Sequence, residues 1–114
     1  MVNRGENLPV HIAEHFKGGD GEVFIKDLTA GKKPANVRVC NEMVLLKNSS
    51  IGFHRHDGDS EIIYILEGEG LYRDGEQDML VRAGDALICC SGESHSLPNE
   101  LEQPLKYLAF IVTE

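Results

Sequence analysis

From residue 22 onward the chain alternates between short apolar runs and turn signals. The runs are EVFIKDL (22–28), VRVCNEMVLL (37–46), EIIYILEG (61–68), LYR (71–73), DMLV (78–81), ALICC (86–90) and LKYLAFIV (105–112). Between them lie GGDG, AGKKPAN, KNSS, DGDS, DGEQ, RAGD and SGES, clusters rich in Gly, Asn, Asp and Ser. Such residues reach left-handed or tightly turned backbone at low cost. Short strands rich in Val, Ile, Leu and Tyr at this spacing predict an all-β sandwich or small barrel. The barrel is expected over about 22–113, within a single domain spanning 1–114.

The segment IIYIL (62–66) is apolar at every position, and so is LAFIV (108–112). Successive strand residues face opposite sides. Ile63 and Ile65 are therefore assigned to the inner face, and Ile62 and Tyr64 to the outer one. An outer face this apolar needs a cover, which predicts a homodimer. One helix is predicted, over about 8–17 in NLPVHIAEHFKGG. Asn7 would cap it, Pro9 suits its first turn and Gly18–Gly19 would end it.

Composition narrows the function classes. The 114 residues carry a formal net charge of -8. Nucleic acid and anionic membranes are recognised by clustered Lys and Arg, so neither is an expected partner. No apolar stretch has the length of a membrane span, and the N-terminal residues lack the apolar core of a signal peptide. The expected location is the cytoplasm. Cys40, Cys89 and Cys90 are read as reduced, small buried residues. A small-molecule ligand, preferably anionic, is the expected partner.

The chemistry-bearing residues cluster in GFHRHDGDSE (52–61) and GDALICCSGESHSLPN (84–99). His54 and His56 are two apart, so on a strand their imidazoles share a face. Glu61 is five past His56, the wrong parity for a continuous strand. The DGDS turn resets that parity and can return Glu61 to the histidine face. His95 also follows a turn. Three imidazoles and one carboxylate make a plausible set for a divalent ion. Spacing alone leaves two readings open, a metal site and a polar turn that happens to contain histidine. HIAEH (11–15) matches a zinc-protease pattern. In so small a β domain it is read as a polar face. Arg38, between two valines, is read as solvent-facing, with projection into the barrel to hold an anion as the alternative. Asp57, Asp59 and Glu93 are read as turn residues, and Tyr107 and Phe110 as core.

Both stretches resemble the two motifs of the cupin superfamily. His54, His56, Glu61 and Gly68 stand at the positions of the first motif. Asn48 replaces its leading glycine, a residue that tolerates the same left-handed turn. Gly84, Gly92, His95 and Asn99 match the second motif, where Cys90 replaces a proline. The resemblance is to a small single-domain cupin. It implies a double-stranded β-helix (jelly-roll) barrel holding a divalent transition metal on His54, His56, Glu61 and His95. The ligand set does not choose among Mn, Fe, Ni, Co and Zn. Gly68, Gly84 and Gly92 are turn residues in this reading. The expected function is a metal-dependent enzyme acting on a sugar derivative or organic acid. Dioxygenase, decarboxylase, lyase and isomerase chemistry all stay open. The alternative is a non-catalytic small-ligand-binding or sensor cupin. No acid or base residue is assigned from the sequence.

Overall fold

The computed structural model describes residues 1–113. Ten strands form two antiparallel sheets: β1 (Val10–Glu14), β2 (Glu22–Asp27), β3 (Val37–Leu45), β4 (Ser49–Arg55), β5 (Asp59–Glu67), β6 (Glu69–Asp74), β7 (Gln77–Arg82), β8 (Ala86–Cys89), β9 (Ser94–Asn99) and β10 (Leu105–Thr113). One sheet has the order β1-β2-β3-β10-β5-β8 and the other β4-β9-β6-β7. The inner faces meet over one apolar cluster. Val23, Ile25, Met43, Leu45, Ile63, Ile65, Leu105 and Tyr107 come from the larger sheet, and Ile51, Tyr72, Val81 and Leu97 from the smaller. The architecture is the expected all-β jelly roll.

Strand parity in β5 follows the sequence reading. Ile63 and Ile65 are 3% and 0% exposed, while Ile62 and Tyr64 are 40% and 43% exposed. Asn48 takes the left-handed conformation at φ 66°. Gly68, Gly84 and Gly92 also have positive φ, at 86°, 95° and 91°. All four act as the turn residues they were read to be.

The N-terminal helix is a correction. Within 8–17 the chain instead forms strand β1, and the helical segments among the described residues are single 3-10 turns at Gly5–Asn7 and Phe16–Gly18. Val10 and Ile12 lie opposite Lys26 and Phe24 in an antiparallel ladder with β2. A helix of about ten residues has little intrinsic stability in water. Val and Ile lose side-chain freedom in it. Ladder hydrogen bonds to the free edge of β2 outweigh that small preference. Among the described residues no helix is long and apolar enough to cross a membrane.

Candidate metal centre

Three strands supply the site: β4 carries His54, β5 carries Glu61 and β9 carries His95, with His56 just past the end of β4. Parity along β4 would oppose this. Ile51 faces the core at 6% exposure, so an unbroken strand would turn His54 and His56 outward. The ladder with β9 solves the problem. Ile51 pairs with Leu97 and His54 pairs with His95, so Gly52 and Phe53 together stand opposite Ser96 alone. This bulge flips the alternation and re-aims both histidines inward.

Gly52 is also required by a close backbone approach. A Cβ there would lie 2.1 Å from the Lys17 carbonyl oxygen and 2.6 Å from the Gly19 nitrogen. On the other side of the site, the Asp57–Gly58 turn brings the chain back so that Glu61 faces the histidines, as expected.

His56, Glu61 and His95 are 5%, 8% and 2% exposed, and His54 is half-buried. One donor atom from each of the four residues lies within 4.8 Å of all the others. His56 Nε2 is 3.1 Å from His95 Nε2 and 3.1 Å from Glu61 Oε1. His95 Nε2 is 2.9 Å from Glu61 Oε1. Donors bonded to one ion at about 2.1 Å and at right angles stand about 3.0 Å apart, so this spacing suits adjacent positions on a single metal.

Each imidazole is held from behind. His54 Nδ1 donates to the Gly52 carbonyl at 2.7 Å, and His56 Nδ1 donates to Asp59 Oδ1 at 2.8 Å. His95 Nδ1 lies 2.8 Å from the Tyr72 hydroxyl. A proton on Nδ1 leaves the Nε2 lone pair free and pointing inward. With a proton on each Nδ1, three lone pairs and a carboxylate face one another and repel unless a cation sits between them. The donor set therefore fits a divalent metal.

Burial pushes the His54 pKa down, and the neighbouring His95 and His56 add to the effect. That favours the neutral, ligand-competent ring. Burial also holds the Tyr72 phenol well above its ordinary range, so it stays protonated.

A cavity of about 300 Å³ opens from these four residues. Val39, Met43, Ile51, Ile63, Leu97 and Tyr107 give it apolar walls, and Lys17, Arg38, Arg55 and Asp57 also line it.

The cupin domain model matches residues 41–111, a span that contains all four clustered residues. The chain belongs to the cupin family. It is 38% identical over 113 residues to a protein named oxalate-binding protein from Thermotoga maritima, covering 98% of this chain and 93% of that one. It superposes with a TM-score of 0.90 on a crystal structure described as a predicted oxalate decarboxylase, also from Thermotoga maritima. That pair is 35% identical and covers 100% of both chains. A polyketide cyclase from Streptomyces resistomycificus shares the fold, with a TM-score of 0.79 at 22% identity over 100% of this chain and 81% of that one.

Sequence reasoning missed several residues that complete the cupin's site. Asp59 was read as a turn residue, yet it is 5% exposed and supports His56. Its place between His56 and Glu61 was the available signal. Gly52 has no signal within its own strand, because the bulge between Ile51 and His54 exists only in the pairing of β4 with β9. Nothing local marks Tyr72, because its contact with His95 depends on how β6 lies beside β9.

Proposed function

We propose that this cupin holds a divalent transition metal on His54, His56, Glu61 and His95 and uses it to bind a small, oxygen-rich anion of about the size of oxalate. The convergence of the four donors, with all three Nδ1 atoms tied outward, carries the reading. Bound there, the ion supplies Lewis acidity and coordination positions for ligand oxygens. Three neutral imidazoles and one carboxylate leave a divalent ion with net positive charge, which favours an anion. The cavity lies at the lower end of the range for small-molecule sites, about 300–1,000 Å³. The name of the Thermotoga maritima relative points to the same ligand class.

Elemental analysis of the purified protein should find close to one transition metal per chain. Calorimetry should detect oxalate binding only to the metal-loaded form. A His56→Ala/His95→Ala double variant with unchanged metal content would overturn the assignment.

The first reading is binding without turnover. Of the carboxylates lining the cavity, Glu61 faces the histidines and both oxygens of Asp59 are engaged, by His56 and by Arg38. Asp57 favours a second reading, turnover of the bound acid, because it is exposed, lines the cavity and is available for proton transfer. Product analysis after incubating metal-loaded protein with oxalate separates the two.

The outer face of the six-stranded sheet supports the expectation of a homodimer. Cys40, Phe110, Ile62 and Ile88 form a continuous row across β3, β10, β5 and β8. Tyr64 and Leu108 flank that row. On the same face Glu42 lies 3.8 Å from Lys26 and 3.7 Å from Lys106, while Glu14 and Glu22 stand opposite each other at its β1–β2 edge. Sedimentation should give a dimer, and Ile62→Asp with Ile88→Asp should give a monomer. A monomeric wild type would refute the assembly.

A further inference from the structure

From the sequence Arg38, between two valines, is read as solvent-facing, with projection into the barrel to hold an anion as the alternative. Its setting in the fold turns it toward the cavity. In the ladder between β3 and β10, Val39 pairs with Ile111 and Val37 pairs with Val112, so Arg38 is left without a partner. A bulge of this kind gives up a ladder position and re-aims one side chain. Here the re-aimed side chain joins the lining of the metal-site cavity. The guanidinium is held there by the carboxylate of Asp59 through Nη1 and Oδ2. The other oxygen of that carboxylate receives the proton of His56 Nδ1.

Two features make this arginine more than a clamp on Asp59. The guanidinium has five N–H donors in a planar fork, and Asp59 is its one hydrogen-bond partner among the described residues. Its side chain is 55% exposed, whereas that of Asp59 is 7% exposed, so the remaining donors are accessible. Val39 and Ile111 beside it offer no side-chain acceptor, and Asn41, further along β3, also lines the cavity. The result is a fixed cation at a metal-site cavity with unused donors.

We propose that Arg38 selects for a dicarboxylate by receiving the carboxylate oxygens that face away from the metal centre. A planar fork matches a carboxylate with two parallel hydrogen bonds, which lysine cannot reproduce. Because Asp59 already fixes the guanidinium, little side-chain freedom is lost on binding. The inference rests on the metal-and-anion reading above and adds the residue that sets ligand charge.

The test is calorimetry on metal-loaded wild type, Arg38→Gln and Arg38→Lys, with oxalate and with acetate, alongside metal affinity by chelator competition and melting temperature. Arg38→Gln should lose about 10- to 100-fold in oxalate affinity. Arg38→Lys should recover only part of the loss. Acetate, which has no second carboxylate, should be far less affected. Metal affinity should change by less than about tenfold, since Asp59 still supports His56. Unchanged oxalate binding in Arg38→Gln would overturn the proposal. So would a parallel loss of metal and oxalate, which would reduce Arg38 to a positioning role through Asp59. Failure of metal-loaded wild type to bind oxalate would instead sink the underlying reading, and this inference with it.

Discussion

Removing Asp59 tests whether the hydrogen bonds behind the four clustered residues matter. Asp59 is 5% exposed. One oxygen accepts from His56 Nδ1 at 2.8 Å and the other is taken by Arg38. In Asp59→Ala the His56 ring loses both its orienting partner and the bias toward a proton on Nδ1. Loss of such a partner typically weakens metal binding by about 10- to 100-fold, or about 1.4–2.8 kcal/mol. The metal-free fold should lose less. The hydrogen bond to a charged acceptor is worth about 1.5–3 kcal/mol, but removing a second carboxylate beside Glu61 returns part of that. The pair with half-exposed Arg38 adds no more than about 1 kcal/mol. A net loss of about 1–2 kcal/mol should lower the melting temperature by several degrees. Asp59→Asn keeps an acceptor for His56 Nδ1 but turns an amide toward Arg38, so its metal affinity should fall by only about tenfold. Chelator competition measures the metal term and thermal melting of metal-free protein measures the fold term. A folded Asp59→Ala protein that binds metal as tightly as wild type would refute the reasoning.

Gly52→Ala should destabilise the protein by at least about 2 kcal/mol in denaturant unfolding, because the new methyl meets backbone at 2.1 Å, which cannot rotate away; wild-type stability would contradict the close approach. Leu97→Ala, at a 1% exposed position, should cost about 2–5 kcal/mol in the same assay, and a loss below about 1 kcal/mol would mean that the two sheets do not pack as described. Tyr72→Phe removes the hydroxyl 2.8 Å from His95 Nδ1; it should keep the fold and weaken metal binding up to about tenfold, whereas unchanged affinity would leave the hydroxyl without a role at the site. Burial pushes the Cys89 thiol up from the ordinary value near 9 to about 12. The unfolded chain therefore loses this proton first, so the stability contribution is complete below about pH 9 and is lost as pH rises toward 12. At pH 8 a thiol reagent should label exposed Cys90 and spare Cys89 until unfolding; rapid labelling of Cys89 in the native protein would contradict its burial.

The legible part of this cupin was whatever depends on residue type and parity within one strand. IIYIL declared a strand with two apolar faces, and DGDS declared the turn that returns Glu61. The four clustered residues were likewise all named from spacing and motif. The misread segment, 8–17, fails for a physical reason. Its fate is decided by an edge of β2 that is far weaker as a sequence signal than a helix cap and a proline at the expected positions. The residues that orient the site were hidden in a different way. Gly52 and Arg38 each stand at a bulge, in β4 and β3 respectively. A bulge is a mismatch in length between two paired strands, so neither strand contains it alone. Alternation read along β4 without it turns His54 and His56 to solvent, and alternation read along β3 without it does the same to Arg38. Both bulges act in the same direction, bringing polar side chains to a cavity whose inner walls include Val39, Met43, Ile51, Ile63 and Leu97. Each sacrifices regular ladder pairing to place a group that the core would not otherwise accept, which is where a β-barrel is expected to depart from its own pattern when the departure serves a site.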